Sequence, residues 1–462
     1  MASRYERTSS GIIYKPAENR EFPQFDVLTL LFESDICGAK EDKILHANAA
    51  DPTKAIDKAQ LRPLIKRTAH TFRYQYGIGT NGPGQDVVLA ICTGHWLLPN
   101  LFYSTIAAGG IFSASNAGST PKELAGQLSQ VSVKLLFCTE DTKPTAIAAA
   151  RLANLPLSHV LYLSSTSRTF QLTEQEDNRP VALSSSELSW QRITSADVLS
   201  NRTVCILFSS GTTGVSKACR VSYTNMVSQC TLVVDPNKEY YARRGRPMEY
   251  RTVAHLPVAH IAGLQGYFVN PAYAGGTVYW MARFDFGRFL AHARRHRVTH
   301  FFSVPPVYLL IAKSPAVTDQ FDHVELAVVG AAPMGKDLQA AARSKLGRGK
   351  AQLCQTWGLT ETTGSMTASP LGAPDDLTGS VASLLARSMA RIVDEDGRDV
   401  EPGKQGEIWV KGPQVTKGDF GNEQANRETF WMGGCVPEIS GFSRTGCFIS
   451  LIGRRNSSST AW

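Results

Sequence analysis

The stretch LFSSGTTGVSKACRVSYTN (residues 207–225) decides how this chain is interpreted. A run of glycine, serine and threonine follows an apolar strand and precedes a single lysine, Lys217, and a helix expected to begin near Ser222. Glycines let backbone N–H groups approach an anion, hydroxyls add donors, and lysine adds positive charge. Because ligands bind at the carboxyl ends of strands in open α/β sheets, the stretch predicts a phosphate-binding loop. The spacing fits neither GxxxxGK[ST] nor GxGxxG, so on these residues alone a surface loop of small residues remains the alternative.

Apolar segments alternate with amphipathic segments on both sides of this stretch. Residues 86–91 and 133–138 are predicted strands, and residues 96–110 are a predicted helix that ends in glycine. A second series of strands and helices is expected to start with VCILFSS (residues 204–210). Strands separated by helices indicate βαβ units and parallel sheets. We therefore expect an α/β fold with two doubly wound subdomains and a small β-rich subdomain.

Changes in this pattern predict five segments along the chain. They are an N-terminal extension (1–40), a first α/β subdomain (41–202), a second α/β subdomain that carries the loop (203–378), a small β-rich subdomain (379–430) and an aberrant tail (431–462). Residues 166–202 are rich in Ser, Thr, Glu and Gln and are interpreted as a surface linker. The length of 462 residues exceeds what one hydrophobic core usually spans, which favours more than one subdomain.

Composition and charge exclude several classes of protein. The net charge of +8 is spread along the chain without a basic run, so no nucleic-acid partner is predicted, although anions such as nucleotides are favoured. The chain has no run of eighteen apolar residues and no signal-peptide core, so no membrane span is predicted. Its nine cysteines include no CxxC pair, which favours a reducing compartment and a cytoplasmic protein. The oligomeric state is not predicted by any of these features.

Four further motifs follow the loop along the chain. They are LPVAHIAGL (256–264), VVGAAPM (328–334), QTWGLTETTG (355–364) and GEIWVKGP (406–413). Together with the loop, these motifs resemble the signatures of the adenylate-forming superfamily, which contains acyl-CoA and aryl-CoA ligases, luciferases and peptide-synthetase adenylation domains. The resemblance covers roughly residues 40–430 and is closest to the coumarate-ligase and luciferase branch. Ser216, Ala218 and Thr356 replace a proline and two glycines that are usual in these motifs.

The resemblance implies an AMP-forming acid–CoA ligase that uses ATP and Mg²⁺. Such enzymes convert a carboxylic acid into an acyl-adenylate with loss of pyrophosphate, and CoA then attacks through its thiol. The residues implied for the β- and γ-phosphates are Ser209, Ser210, Gly211, Thr212, Thr213, Gly214 and Lys217. Those implied for the rest of the nucleotide are Gly330, Ala331, Ala332, Gln355, Thr356, Trp357, Gly358 and, at the α-phosphate, Thr360. Those implied for the acid substrate are His260, Ile261, Ala262, Gly263, Ser303, Val304 and Gly330.

Catalysis is assigned by the same resemblance to His260, Thr360 and Glu361, with Glu361 as the Mg²⁺ ligand. Donors and a metal are needed there because negative charge builds up on the phosphates. A core aromatic remains the alternative for Trp357, and His255 is predicted to be an ordinary buried histidine.

The resemblance weakens past residue 434. Residues 444–446 resemble the start of the family motif RTGD, but Cys447 stands where the ribose-binding aspartate is expected. The family's mobile C-terminal lid, with its catalytic lysine, has no counterpart in this sequence, and the final RRNSSSTAW is expected to be disordered. We therefore expect a ligase impaired by truncation. A catalytically dead nucleotide-binding remnant and an adenylation domain that loads a carrier protein remain alternative hypotheses.

Overall fold

The computed structural model describes residues 4–9, 11–164, 169–209, 216–424 and 426, and the backbone of two strands at 430–431 and 442–449. The chain divides into two compact units. The first unit, as named here, contains Gln24–Tyr223 and Val253–Asp285, and the second unit contains Met1–Pro23, Thr224–Thr252 and Phe286–Trp462.

Strands and helices alternate along most of the described chain, which confirms the predicted α/β class. The strands, in chain order, are β1 (Arg4–Thr8), β2 (Gly11–Lys15), β3 (Ile44–Asn48), β4 (Ala55–Asp57), β5 (Val87–Ile91), β6 (Ile111–Ala114), β7 (Val133–Cys138), β8 (Val160–Leu163), β9 (Leu172–Glu174), β10 (Thr203–Ser209), β11 (Lys217–Ser222), β12 (Arg251–Ala254), β13 (Thr277–Trp280), β14 (His300–Ser303), β15 (Leu326–Val329), β16 (Gln352–Gln355), β17 (Gly358–Leu359), β18 (Gly364–Ser365), β19 (Thr367–Ala368), β20 (Ser383–Leu384), β21 (Met389–Val393), β22 (Gly406–Lys411), β23 (Phe430–Trp431) and β24 (Phe442–Ile449). The α-helices, in chain order, are α1 (Val27–Phe32), α2 (Lys58–Gln75), α3 (Leu98–Ala107), α4 (Pro121–Gln130), α5 (Lys143–Leu152), α6 (Ala196–Asn201), α7 (Tyr223–Ala242), α8 (Ile261–Leu264), α9 (Asn270–Ala274), α10 (Phe286–Arg295), α11 (Pro305–Lys313) and α12 (Lys336–Ser344). Among the described helices, none is both long enough and apolar enough to cross a membrane.

A seven-stranded sheet forms the centre of the first unit, with the strand order β11-β10-β6-β5-β7-β8-β9. Its five inner strands are parallel, whereas β11 and β9 pair antiparallel at the two edges. Every residue of β5 is buried, which is typical of parallel strands covered on both faces. The prediction of a parallel sheet is thus confirmed for its centre. The strand β10, for which the sequence predicts the start of a second series, instead extends the first.

The segment predicted to be a surface linker contributes the edge strand β9. This strand pairs with β8 and ends at Glu174, whose side chain is buried. The Glu174 carboxylate accepts a hydrogen bond from the Tyr76 hydroxyl at 2.9 Å and forms an ion pair with Arg179 at 2.7 Å. A buried carboxylate needs such partners. The linker prediction is wrong for these residues, because they pair with β8 in the sheet and both Leu172 and Glu174 are buried.

A four-stranded sheet in the order β12-β13-β3-β4 supports the helical segment that follows His260. Trp280, at the end of β13, is buried and donates from Nε1 to Nδ1 of His46 at 3.3 Å. The rings of Tyr267 and Phe268 lie 5.7 and 5.8 Å from the Trp280 ring. Aromatic packing of this kind fixes the helical segment against the sheet.

Two main sheets form the second unit. One is parallel, with the order β14-β15-β16, and the other is antiparallel, with the order β1-β2-β21-β22-β24-β23. The antiparallel sheet joins strands from three predicted segments: the N-terminal extension, the β-rich subdomain and the tail. In the tail, β24 pairs along β22, while residues 450–462 lie outside the described residues.

A buried ion pair holds the N-terminal hairpin to this sheet. The Arg391 guanidinium contacts the Asp399 carboxylate at 2.9 Å, and the same carboxylate accepts the Ile12 N–H at 2.9 Å. Gly11 has a φ of +119°, and a Cβ at this position would lie 1.8 Å from Asp399 Oδ2. Only glycine therefore allows the hairpin to approach the carboxylate this closely.

Candidate active site

The predicted phosphate loop begins and ends at two residues that pair with each other in an antiparallel hairpin. Ser209 is the last residue of β10 and Lys217 the first of β11, and the two are paired across the hairpin. The Gln130 amide also donates to the Ser216 carbonyl at 3.0 Å, which holds the base of the loop. Because β10 is parallel to β6, this base lies at the carboxyl edge of the sheet, where open α/β sheets bind ligands. The intervening Ser210, Gly211, Thr212, Thr213 and Gly214 lie outside the described residues.

The residues after the loop form a strand before the expected helix begins. Lys217–Ser222 pairs antiparallel with β10, and α7 starts at Tyr223. This strand covers the edge of β10, which would otherwise expose unpaired backbone groups. The hairpin therefore places Lys217 beside the end of β10 rather than on the following helix.

His260 lies at the start of the short helix α8. Its Nδ1 accepts the N–H of Ala262 at 3.2 Å, in the manner of an N-cap. Burial lowers the pKa of His260, so the imidazole is neutral near pH 7. A neutral ring that accepts at Nδ1 carries its proton on Nε2, which makes Nε2 a hydrogen-bond donor.

The packing of α8 explains the glycine of the motif LPVAHIAGL. A Cβ at Gly263 would lie 2.1 Å from the carbonyl oxygen of Pro257. Close packing of two backbone segments therefore requires the small residue, and Gly263 gives no information about the size of the acid. Of its neighbours in the predicted acid site, Ile261 is buried and Ala262 is half-buried.

A π-helical turn, Gln265–Val269, follows α8 directly. From this turn the Tyr267 hydroxyl accepts the N–H groups of His255 and Leu256, each at 3.2 Å. His255 is buried, its Nδ1 lies 3.0 Å from the Val253 carbonyl, and burial lowers its pKa to about 4. The prediction that His255 is an ordinary buried histidine is confirmed.

In the second unit, the predicted nucleotide and acid residues gather at the carboxyl ends of three parallel strands. Ser303 ends β14, Gly330 follows β15 and Thr356 follows β16. The Gly330 N–H donates to the Ser303 carbonyl at 3.3 Å, and a Cβ at Gly330 would lie 3.2 Å from Thr356 Cγ2. Ala331 is exposed and has a φ of +70°, a left-handed conformation that is costly for a residue other than glycine. Such strain is concentrated at functional sites.

The remaining residues of this edge differ in exposure. Val304 and Ala332 are half-buried, and Val304 precedes α11. Gln355 is 2% exposed, and its amide accepts the Met334 N–H at 3.2 Å and donates to the Met334 carbonyl at 2.9 Å. The Gln355 side chain therefore supports the segment after β15. The half-buried Trp357 ring packs against the core of the six-stranded sheet.

Thr360 and Glu361 lie in a 3₁₀ turn, Thr360–Thr362, inside the hairpin of β17 and β18. A Cβ at Gly358 would lie 1.7 Å from the carbonyl oxygen of Gly364, so the hairpin requires glycine there. The Thr362 hydroxyl accepts the Leu359 N–H and donates to the Gly364 carbonyl, both at 2.8 Å. These bonds fix the backbone on both sides of Glu361.

Several residues that the sequence did not single out hold this turn from outside. The Thr416 N–H donates to the Glu361 carbonyl at 2.8 Å, and the Thr363 hydroxyl donates to the Gln414 carbonyl at 2.7 Å. Asn225 in turn donates to the backbone on both sides of Gln414. No sequence signal identifies these bonds, because all of their acceptors are backbone carbonyls, which every residue type carries.

Glu361 suits a metal that arrives with its nucleotide. In the part of the chain that the structure describes, no group of three or more His, Cys, Asp or Glu side chains could hold a metal ion. Mg²⁺ in nucleotide sites is usually held by one or two carboxylates together with phosphate oxygens and water. A single half-buried Glu361 on a hydrogen-bonded turn fits that requirement. Among the described residues, the neighbouring Thr360 hydroxyl has no hydrogen-bond partner, so it is available to a phosphate.

Comparison with known proteins identifies relatives of this chain. A protein of Emericella nidulans that is named as an acyl-coenzyme A synthetase is 43% identical to this chain. The matched region covers 90% of this chain and 75% of the length of that protein. A protein of Dictyostelium discoideum that is named as a 4-coumarate–CoA ligase is 30% identical to this chain. The matched region covers 76% of this chain and 63% of the length of that protein.

A solved structure and a family match complete the comparison. The crystal structure of ATP-bound MatB from Rhodopseudomonas palustris superimposes with a TM-score of 0.72 at 24% identity, over 91% of this chain and 75% of that chain, which shows a shared fold. The AMP-binding enzyme family matches residues 40–418. The chain therefore belongs to the AMP-binding enzyme family.

Proposed function

We propose that this chain is an AMP-forming acid–CoA ligase that activates a carboxylic acid with ATP. The observation that carries the proposal is the hydrogen-bonded Gly358–Gly364 hairpin, which presents the Thr360 hydroxyl, without a hydrogen-bond partner among the described residues, next to Glu361. The edge of β14-β15-β16, with Gly330, adds a position for the base of the nucleotide. The names of the two relatives support the acyl-CoA assignment.

In the proposed first step, a carboxylate oxygen of the acid attacks the α-phosphorus of ATP. The bond from that phosphorus to the bridging oxygen breaks, pyrophosphate leaves, and an acyl-adenylate forms. Thr360 donates to the α-phosphate, whereas Lys217 and the residues from Ser209 to Gly214 hold the β- and γ-phosphates. Glu361 would hold Mg²⁺, whose positive charge would offset the negative charge on the leaving pyrophosphate.

His260 is proposed to orient the acid. Since its Nδ1 accepts the Ala262 N–H, the neutral ring donates from Nε2 to a carboxylate oxygen of the acid. This bond aligns the acid without removing a proton from it, because a carboxylate is already ionised. The apolar residue Ile261 and the small Ala262 line the side of the acid under this proposal, which favours an aromatic or medium-length chain.

In the proposed second step, the thiol of CoA releases its proton to solvent and its sulfur attacks the carbonyl carbon of the acyl-adenylate. The bond from that carbon to the AMP oxygen breaks, so a thioester and AMP are released. Cys447, which replaces the aspartate expected to bind the ribose, is proposed to weaken nucleotide binding. Each lost charge-assisted hydrogen bond is worth about 1.5–3 kcal/mol. The side chain of Cys447 lies outside the described residues.

The proposal is tested by exchange of labelled pyrophosphate into ATP with a panel of aromatic and medium-chain acids. Exchange with at least one acid is expected, and Glu361→Gln is the matched variant in which it should fall by about 10²–10³-fold. No exchange with any acid would overturn the proposal and favour a nucleotide-binding remnant. Thioester formation on addition of CoA is expected in the same reaction. Exchange without CoA consumption would favour the carrier-protein-loading alternative.

A further inference from the structure

We propose that one polar face of helix α7 positions the turn that carries Glu361. This face consists of Asn225 and Gln229, which are four residues apart and so lie on the same side of the helix. The inference rests on the proposed function, since it assigns a task in metal binding to two residues to which the resemblance gives no role. We call this pair the α7 polar face.

Asn225 holds the segment on one side of the turn. Its side chain is 2% exposed, and Nδ2 donates to the carbonyl oxygens of Pro413 at 2.7 Å and Val415 at 3.0 Å. One amide group therefore uses both of its protons on two carbonyls of a single bend. Leaving two buried N–H donors without acceptors would cost free energy, so these two hydrogen bonds keep the bend in place.

The same bend holds the turn directly. The Thr416 N–H donates to the Glu361 carbonyl at 2.8 Å, and the Thr363 hydroxyl donates to the Gln414 carbonyl at 2.7 Å. Asn225 thus acts on Glu361 through one intervening segment, residues 413–416. It is a positioning residue, because it reaches the carboxylate only through these bonds.

Gln229 holds the other side of the turn. It is 3% exposed, and its amide, oriented from the hydrogen-bond network, donates to the Ser365 carbonyl at 2.8 Å and accepts the Ser365 N–H at 3.1 Å. Ser365 belongs to β18, the strand that closes the hairpin around Thr360–Thr362. The α7 polar face therefore holds the turn on both sides, through residues 413–416 on one side and through Ser365 on the other.

The consequence is a constraint on where the Glu361 carboxylate can lie. A carboxylate that binds a metal together with phosphate must be held close to its productive position. Loss of partners that orient a metal ligand typically weakens metal affinity or activity by about 10- to 100-fold. A residue that only stabilised the fold would not change the Mg²⁺ requirement selectively.

The test compares Asn225→Ala and Asn225→Asp with the control Asn237→Ala. Asn225→Asp keeps the shape and removes the donor. Asn237 lies on the same helix, is 6% exposed, and bonds the Val233 carbonyl at 3.0 Å and the Leu371 N–H at 2.8 Å, away from the turn. It therefore matches Asn225 in residue type, helix and burial. Gln229→Glu tests the other side of the turn, because the carboxylate still accepts the Ser365 N–H but no longer donates to the Ser365 carbonyl.

The first measurement is the Mg²⁺ concentration that gives half-maximal pyrophosphate exchange. Both Asn225 variants are expected to raise it by about 10- to 100-fold, and Gln229→Glu by less, while Asn237→Ala stays within twofold. Calorimetric binding of ATP in EDTA should be the same in all variants. Equal shifts in the Asn225 and Asn237 variants, or no shift in either, would overturn the proposal.

The second measurement does not depend on activity. Hydrogen exchange at the Thr416 amide in the nucleotide-free protein should be at least tenfold faster in Asn225→Ala and unchanged in Asn237→Ala. If the unsubstituted chain exchanges pyrophosphate with no acid, the proposed function fails, and this comparison alone decides the positioning role. Unchanged protection of Thr416 in Asn225→Ala would then refute it.

Discussion

Replacing Gly263 by alanine is expected to displace His260, because the added methyl group has no space. Its Cβ would lie 2.1 Å from the Pro257 carbonyl oxygen and 3.2 Å from Val258 Cα. Both are backbone atoms, so neither can rotate away as a side chain would. To restore a separation of 3.0 Å, helix α8 and the Pro257 segment must move apart by about 0.9 Å.

Two magnitudes follow from this movement. Overpacking of a well-packed interior typically costs about 1–3 kcal/mol, so the free energy of unfolding in urea should fall by that amount. A misplacement on the order of 1 Å near a reacting group can cost about 100-fold in rate. Gly263→Ala should therefore lower the rate of pyrophosphate exchange by about 100-fold, beyond any loss of folded protein.

Gly126→Ala is the matched control in the same unit. Gly126 lies within α4, and no heavy atom is within 4 Å of the position of its Cβ. Because glycine destabilises helix interiors, this variant should gain about 0.5–1 kcal/mol and keep its exchange rate. The steric reasoning is refuted if Gly263→Ala unfolds at the same urea concentration as the parent and retains its rate within twofold.

The remaining predictions concern the metal ligand, a buried ion pair and the buried histidines. Glu361→Gln should lower pyrophosphate exchange by about 10²–10³-fold, because it removes the carboxylate charge while the bond to the backbone carbonyl is retained; an unchanged rate would contradict the assignment. Asp399→Ala leaves Arg391, which is 7% exposed, without its ion-pair partner and should cost about 3–5 kcal/mol in urea unfolding. Glu401→Ala removes the exposed ion pair between Glu401 and Arg7 and should leave the free energy of unfolding nearly unchanged; a loss equal to that of Asp399→Ala would contradict the reasoning that burial sets the cost. Burial lowers the pKa of His46 from 6.5 to about 3 and that of three other histidines to about 4, so on acidification the unfolded chain takes up protons that the folded chain does not. The free energy of unfolding should therefore fall as the pH decreases from 6.5 towards 4, and His46→Phe should reduce the slope; stability that rises on acidification would contradict this.

The elements that sequence reasoning placed correctly share a strong local signal. β5 is a continuous apolar run and β7 is apolar apart from Lys134, as is typical of buried parallel strands, and α3 is a mostly apolar run with a proline in its first turn. β9 was missed because a three-residue edge strand in a polar segment has no such signal. β11 was missed because its pairing with β10 covers an edge, which depends on the neighbouring strand rather than on its own pattern.

By itself, the sequence determined the α/β class, the family and the residue types suited to nucleotide chemistry, because glycines, hydroxyls and one carboxylate occur in ordered motifs. Tertiary structure alone decided how the turn of Glu361 is held. Asn225 and the Val415 carbonyl that it binds are 190 residues apart, and a backbone carbonyl looks the same in every residue. Likewise, the hairpin of β1 and β2 joins β21 through Tyr14 and Ala390, a pairing that closes a loop of several hundred residues. Such contacts form because buried polar groups need hydrogen-bond partners in the folded protein. The sequence around each group does not show which distant residue will supply that partner.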